Sequence, residues 1–293
     1  MKPIKFFNSL LLFVIAISSV SCVYGYSSGN KQRPAPIKGN GDYVEERREV
    51  GAISELKVSG PMDVQFTVSP TSEPIRIYGE SNILPIVETN YDNGKLEVKF
   101  KDGVTIPGKY EKLIVYLSSP TLTDVMAAMG NVKVIGKITT PDFHTEATAL
   151  GTISIDSLET GSLSASANAM GNIVFTGAVQ AETAGFHADA KGQIEANALI
   201  CKEVRAFAYS LGGITVRGDA EKSELHASSL GDINARFLIS KETHASASSL
   251  GSISCYSDES LYSTTKSLGT IRYEGNCTFH QTEASAPGMV KPL

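Results

Sequence analysis

The octapeptide SSLGSISC (248–255) returns along the chain with small changes. SSLGDINA (228–235) precedes it and KSLGTIRY (266–273) follows it, and both keep a bulky apolar residue, a glycine and an isoleucine. Self-similarity at a period of ~20 residues predicts a solenoid in which each repeat forms one coil. The repeat glycines are Gly130, Gly151, Gly171, Gly192, Gly212, Gly231, Gly251 and Gly269.

The residues that flank each glycine alternate between apolar and polar, which predicts extended strands. Two residues after the glycine stands a β-branched residue, such as Ile233, and four after it stands a mainly apolar one, such as Ala235. Before the glycine, small residues occupy the second and fourth positions, as Ser229 and Ala227 do. We therefore predict one strand on each side of the glycine, and both strands have an inward face.

The glycine itself is predicted to turn the corner between these two strands, because glycine adopts positive φ freely. We expect the bulky residue before it, for example Leu230, to fill the corner together with the β-branched residue that follows. The small side chains before the glycine are expected to face inward and let opposite walls approach closely. In this prediction all the repeat glycines are structural corner residues.

The predicted fold class is all-β, a single-stranded right-handed parallel β-helix with about 20 residues per coil. A helical solenoid is disfavoured, because units rich in Ser, Thr and Gly form helices poorly. Leucine-rich repeats and calcium-binding nonapeptide repeats are excluded, since the chain lacks both consensus sequences.

The N-terminus predicts export from the cytoplasm. Two lysines precede the apolar run 6–20, and small residues then lead to Cys22, as in a lipoprotein signal peptide. We predict a signal peptide over 1–21 and lipidation of Cys22, which would attach the protein to a membrane; ordinary cleavage after Gly25 is the alternative. The remaining predicted regions are a flexible tether over 22–41, atypical N-terminal coils with a cap over 42–120, and regular repeats over 121–293.

Both ends of a solenoid need protection, because an open strand edge pairs readily with another chain. The charged segment EERREV (45–50) is the predicted N-terminal cap, and Pro287 and Pro292 can blunt the C-terminal edge. Without that protection two copies would pair end to end, so a monomer and an end-to-end dimer both stay open. Within the N-terminal region, YDNGK (91–95) predicts a tight turn between two strands.

The cysteines indicate neither a disulfide framework nor a zinc site. If Cys22 is acylated, Cys201, Cys255 and Cys277 remain, an odd number that cannot all pair within the chain. No Cys-x-x-Cys spacing occurs. The repeat register places Cys255 in the core.

The polar residues give no predicted catalytic, metal or cofactor site. Outward carboxylates are scattered, and no hydrolase, nucleotide-binding or metalloprotease motif is present. His187 and His226 share one column two coils apart, and His144 and His244 share another, so the histidines alone predict no metal centre. With a net charge of -5 at pH 7, the chain is not expected to bind nucleic acid.

Several stretches together resemble a known bacterial family. They are the opening GNGDYVEERREVGAISELKVSGPMDV (39–64), the segment GESNILPIVETNYDNGKLEVKFKDG (79–103), and the recurring corner seen in GDIN (231–234) and GNI (171–173). The chain is similar through them to the putative auto-transporter adhesin, head GIN domain family. The resemblance implies an exported, envelope-associated β-helical protein, and it carries over no catalytic motif.

The predicted function is therefore a non-catalytic β-helix protein of the cell envelope. We expect a surface-exposed lipoprotein, anchored in the outer membrane through its N-terminal lipid, that binds a glycan or a protein in the manner of an adhesin. Two alternatives stay open, a polysaccharide-degrading β-helix enzyme and a periplasmic structural or assembly protein.

Overall fold

The computed structural model describes residues 35–106, 108–284 and 289–293, with side chains up to residue 280 and again from 289. Residues 35–293 form one compact unit. The predicted signal peptide, Cys22, most of the predicted tether and Pro287 lie outside the described residues, and the predictions made for them stay predictions.

The regular elements of the described residues are all β-strands, apart from a short 3-10 helix at Leu84–Ile86. The strands are β1 Tyr43–Arg48, β2 Glu55–Ser59, β3 Asp63–Val68, β4 Glu73–Glu80, β5 Val87–Asp92, β6 Lys95–Phe100, β7 Ile114–Ser119, β8 Asp124–Ala128, β9 Asn131–Thr148, β10 Thr152–Ala167, β11 Asn172–Ala188, β12 Gln193–Ala208, β13 Gly213–Ala227, β14 Asp232–Ala247, β15 Ser252–Tyr256, β16 Ser260–Thr265, β17 Thr270–Glu274, β18 Thr278–Ala284 and β19 Met289–Pro292.

The long strands β9 to β14 lie side by side in parallel, and each pairs residue by residue with the next coil. Ile153 pairs with Ile173, which pairs in turn with Ile194. Because one coil thus takes about 20 residues, the predicted parallel β-helix is confirmed.

Each coil bends into three walls. Wall A contains the segments that directly follow the repeat glycines, such as 152–155. A register shift then leads to wall B, the short segments such as 158–160, and wall C contains the segments before the next glycine, such as 162–167. Strand β2 continues wall C and β3 continues wall A toward the N-terminus, each parallel to its neighbours.

The interior contains the predicted inward columns. Ile233 and its equivalents two residues after each glycine are buried, as is the alanine four before it, such as Ala227. Full burial of a branched apolar side chain contributes about 1.5–3 kcal/mol, so a column that repeats in every coil dominates the stability of the solenoid. Cys255 is also buried in this core, as predicted, and burial raises the pKa of its thiol to about 12.

The turn between wall C and wall A differs from the prediction. In the turn at Gly231, the residues with positive φ are Ser229 (53°) and Leu230 (67°), and the Gly231 amide donates to the Ser228 carbonyl over 2.9 Å. Two successive positive φ values are the mark of a type I′ turn. The glycine itself is not in the left-handed region.

The repeat glycine is needed for close packing rather than for its φ. A Cβ on Gly212 would overlap with the carbonyl of Ala188 in the preceding coil, and the repeat glycines from Gly151 to Gly269 have equivalent neighbours. A side chain at this position would therefore push two coils apart.

The two residues before the repeat glycine, which were predicted to face inward, are exposed in the turn. The bulky residue before the glycine does not fill the corner: Leu150 is 62% exposed and Leu230 51%. The small residue two before the glycine, such as Ser229, is exposed as well and faces away from the interior. Both errors have one cause, since a type I′ turn takes its two central residues out of the strand alternation on which the prediction depended.

The N-terminal region closes the solenoid with antiparallel strands. β1, which contains most of the predicted cap segment 45–50, pairs antiparallel with β4, and β5 pairs antiparallel with β6 through a turn at Asn93 and Gly94. The Arg48 guanidinium donates to the carbonyls of Val87 and Leu84, over 2.7 Å and 3.1 Å. Residues 37–41 of the predicted tether belong to this body, because they form hydrogen bonds with Thr105, Ser81 and other residues.

Candidate binding face

The outward side of wall C carries every histidine of the chain. The five histidines occupy two neighbouring columns that run along the solenoid. Alternation along each wall C strand directs these side chains outward, while the residues between them are buried. We call the outward side of wall C, from segment 142–148 to segment 278–280, the histidine face. Its histidines are His144, His187, His226, His244 and His280.

One group of rings stacks in the column of His226. The rings of Phe207 and His226 lie 5.1 Å apart between centroids, with planes only 2° apart. Stacking follows from the fold, because a coil spacing of ~4.8 Å places equivalent side chains at ring-stacking distance. His187 lies in the same column one coil earlier and tilts against Tyr209, with 5.6 Å between centroids.

A second group of rings stacks in the column of His244. The centroid distances are 4.6 Å from His244 to Tyr262 and 4.8 Å from Tyr262 to His280. In the coil of His244, the column of His226 contains Ser246 instead of a ring. The ring ladder therefore changes column between these two coils.

This change of column leaves an open notch of about 350 Å³ on the histidine face. Rings of both columns line it, and small hydroxyl residues replace the rings in the column of His226. Its lining includes Glu224, His226, His244, Ser246, Tyr262 and Thr264. A smaller hollow of about 190 Å³ lies earlier on the same face, where Gly185 stands beside Arg205.

The carboxylates of the histidine face are held by cations and imidazoles. Glu224 Oε1 lies 2.9 Å from His226 Nε2, and its Oε2 lies 3.3 Å from the Arg205 guanidinium. This hydrogen bond, with the charges of His226, Arg205 and His244, holds the pKa of Glu224 below its ordinary value. Glu224 is therefore an anion and an acceptor at neutral pH.

Glu242 has the same kind of environment one coil later. Its Oε1 lies 2.9 Å from Lys222 Nζ and 2.7 Å from His244 Nε2. Both hydrogen bonds lower the pKa of Glu242. A general acid of a glycosidase needs a raised pKa, so these two carboxyls are suited to accept hydrogen bonds rather than to donate a proton.

The N-terminal end of the same wall has a larger cavity of about 520 Å³. It lies where the β5–β6 hairpin adjoins β2 and β8, and Tyr91 and Met126 provide partly exposed apolar surface in it. Two ion pairs, Lys95–Glu55 at 2.9 Å and Lys57–Glu97 at 2.8 Å, are among its lining groups.

The predicted site residues are only partly brought together. His187 with His226, and His144 with His244, share columns as predicted. Within the described segments no group of three or more His, Cys, Asp or Glu is placed to hold a metal. Phe207 and Tyr262 are members of this face that were not predicted. The repeat register alone aligns Phe207 with His187 and Tyr262 with His244.

Other predicted residues do not contribute to the histidine face. The repeat glycines are buried at the corner beside it, and Cys22 lies outside the described residues. In the part of the chain that the structure describes, no helix combines the length and the apolar character needed to cross a bilayer.

A parallel β-solenoid with an open, ring-lined outer face belongs to the class of repeat proteins that offer an extended surface for binding. The chain belongs to the family described as putative auto-transporter adhesin, head GIN domain, which it matches over residues 52–217 and again over 178–277. No curated protein has significant sequence similarity to the chain.

Several solved structures share the fold. A putative adhesin from Parabacteroides distasonis ATCC 8503 has 21% identity and a TM-score of 0.68, covering 88% of this chain and 100% of that one. A putative adhesin from Parabacteroides merdae ATCC 43184 has 20% identity and a TM-score of 0.63, covering 88% and 98%. A putative lipid binding protein from Parabacteroides distasonis has 17% identity and a TM-score of 0.64, covering 88% and 100%. At these identities the likeness shows the fold alone.

Proposed function

We propose that the protein is a non-catalytic adhesin of the cell envelope that binds glycan chains on its histidine face. The observation that carries the proposal is the gathering of all five histidines, with Phe207 and Tyr262, on one outward wall of the solenoid. Family membership supports the adhesin class, and the lowered pKa values of Glu224 and Glu242 favour binding over hydrolysis.

A glycan fits this surface better than an apolar protein partner does. A sugar ring has an apolar side that packs on aromatic rings and a rim of hydroxyls that needs donors and acceptors. The notch at Tyr262 offers both, since rings stand beside Ser246, Thr264 and the ionised Glu224. A polysaccharide repeats along its length as the coils do, so several weak contacts can act together.

The binding test uses an array of bacterial and host glycans probed with the purified protein, followed by titration of the strongest binder. Tyr262→Ala and Phe207→Ala should each weaken binding by about tenfold. Phe237→Ala is the matched control, because Phe237 is an aromatic that is 56% exposed on wall B, away from the histidine face. Its affinity should equal that of the wild type.

Three results would contradict the proposal. The folded protein could bind no glycan on the array, or Phe237→Ala could weaken binding as much as Tyr262→Ala does. Release of new reducing ends from the bound glycan would instead favour the alternative of a polysaccharide-degrading enzyme.

The proposed location is the outer surface of the cell, through a lipid on Cys22. Support comes from the predicted signal peptide and from the adhesin family. Intact cells that express the wild type or Cys22→Ala are treated with protease and immunoblotted. We expect the protease to digest the wild-type protein and to leave the Cys22→Ala variant intact. Protection of both forms would contradict a surface location and favour a periplasmic structural role.

A further inference from the structure

A row of exposed apolar side chains runs along the corner between wall C and wall A. It consists of the residue before each repeat glycine, which is Leu or Met in seven of eight coils and Lys191 in the other. The exposed fractions lie between 48% and 62%. We call this row the apolar ridge: Met129, Leu150, Met170, Leu211, Leu230, Leu250 and Leu268.

The conformation of the turn does not favour leucine or methionine at these positions. Leu211 and Leu230 have φ values of 70° and 67°, a conformation that non-glycine residues adopt at a cost and that Asn or Gly adopts more readily. Solvent exposure gives no reason either, because a polar side chain would be hydrated there. An apolar residue that recurs in a strained, exposed position therefore indicates an apolar environment outside the chain.

Repetition within the chain strengthens this argument. Outward positions of wall C differ from coil to coil, and the column of His244 contains Arg205 and Glu224 in the two coils before it. The apolar ridge is outward yet almost invariant, like the buried column of Ile233. The residue type at the ridge is therefore constrained as strongly as core packing constrains the buried column.

The shape of the ridge suits a fluid partner better than a rigid one. Eight coils at ~4.8 Å give a row ~34 Å long, and at one side chain, or ~10 Å, wide it offers roughly 340 Å². A stable interface between two proteins needs about 800 Å² from each partner, so a second copy of the chain would find too little area. Lipid adapts to a narrow convex edge and covers every side chain at once.

Charge around the ridge favours an uncharged interface. The position two before each repeat glycine, directly beside the ridge, is always Ala or Ser, and the position three before it contains one charge of each sign, Asp189 and Lys266. The column after the glycines has Asp232 as its one charged member among the repeats from Asn131 to Thr270. The whole chain is acidic, with a charge of -5 at pH 7, which opposes attraction to anionic lipid. Lys191 can keep its ammonium at headgroup level while its stem lies among apolar side chains.

We propose that the apolar ridge inserts into the interfacial layer of a lipid bilayer, so that the solenoid lies flat on the membrane. The seven side chains are available to the same bilayer surface, because each stands at the same position of the turn in its coil. This proposal does not depend on glycan binding, and it involves a different surface.

Vesicles of phosphatidylcholine test it by flotation with the full chain. All forms carry Cys22→Ala, which removes the predicted lipid attachment point. The ridge variant combines Leu211→Asn, Leu230→Asn and Leu250→Asn, since Asn tolerates positive φ and keeps the turn. The control combines Ile200→Ser, Phe237→Ser and Ile239→Ser, which removes three wall B side chains that are 54% to 56% exposed.

The ridge variant should lose at least about tenfold in vesicle partition, while the wall B variant should match the parent. Binding should persist at high salt, because it does not depend on charge. Absence of the parent from the vesicles, equal loss in both variants, or a ridge-dependent dimer in sedimentation would overturn the proposal.

A second measurement is independent of the triple variant. The chain contains no tryptophan, so Leu230→Trp introduces a unique fluorophore on the ridge and Phe237→Trp introduces one on wall B. Vesicles should shift the emission of the ridge fluorophore to the blue and leave the wall B fluorophore unchanged. The reverse pattern, or no shift at either position, would contradict insertion of the ridge.

Discussion

The buried column of Ile233 and the outward column of His244 pass through the same coils, yet they vary in opposite ways. The buried column contains only isoleucine or valine through the regular coils, whereas the outward one changes from serine and glycine to arginine, glutamate, histidine and tyrosine. Core packing admits few side chains of the right volume, while the fold leaves outward positions free. The difference teaches that the inward half of each coil builds the solenoid and that the histidine face can be specialised for binding.

The largest expected effect comes from reversing the polarity of the buried column. Ile233→Asp should lower the free energy of unfolding by about 4–5 kcal/mol, because the carboxylate would lie in an apolar core without a partner. Asn234→Asp, the next residue and outward, should change it by less than about 0.5 kcal/mol. Urea unfolding measures both, and equal losses would mean that the two columns are not inward and outward.

The next largest effect is a difference in stability between alanine substitutions at two adjacent glycines. Gly212→Ala should cost about 3 kcal/mol, because the new Cβ would overlap with the Ala188 backbone. At Gly213 the atoms nearest to the new Cβ belong to the Gln193 side chain, which can move away, so Gly213→Ala should cost less than about 1 kcal/mol. Unfolding of the two variants under the same conditions checks this, and a similar cost would refute the close-approach role of the repeat glycine.

A smaller effect, of opposite sign, is expected at the turn itself. Replacing Ser210 by Asn and Leu211 by Gly provides the residues that a type I′ turn prefers. The double variant should gain about 1 kcal/mol in stability, because both positions have positive φ. A loss in thermal unfolding would show that Leu211 stabilises the coil through contacts along the ridge.

The smallest effect concerns the histidine face. Because the pKa of Glu224 is lower in the folded state, its contribution to stability is present at neutral pH and disappears as pH falls through that lowered value. Glu224→Gln should therefore be less stable than the wild type by under about 1 kcal/mol at neutral pH, since the group is partly exposed. The difference should vanish in acid, as urea titrations at the two pH values would show. A difference that grows on acidification would reverse the predicted sign.

The sequence predicted the parts of the fold that depend on alternation. The period and the small or β-branched residues around each glycine located the coils, the two inward columns and buried Cys255. The turn was misjudged, because a glycine required for positive φ and a glycine required for close approach look alike in a sequence. Leu230 was placed in the core for a related reason, since an apolar residue that recurs in every repeat is usually buried.

The candidate site was less accessible to sequence reasoning. The repeat register alone could align His187, Phe207 and His226. The notch, however, lies between this column and the column of His244, so the three-dimensional arrangement of both columns was needed to recognise it. At the N-terminal end the sequence predicted the tight turn of the β5–β6 hairpin, but the antiparallel pairing of β4 with β1 and β7 escaped prediction, because strands of either direction share the same alternation.

The most direct test of the account is hydroxyl-radical footprinting of the wild type with and without the strongest glycan from the array. The histidine face should bind it, so oxidation of Phe207 and Tyr262 should fall on addition of the glycan. Oxidation of Phe237 on wall B and of Met170 on the apolar ridge should stay unchanged. Protection of Phe237 or Met170, with Phe207 and Tyr262 still oxidised, would contradict the assignment of binding to the histidine face.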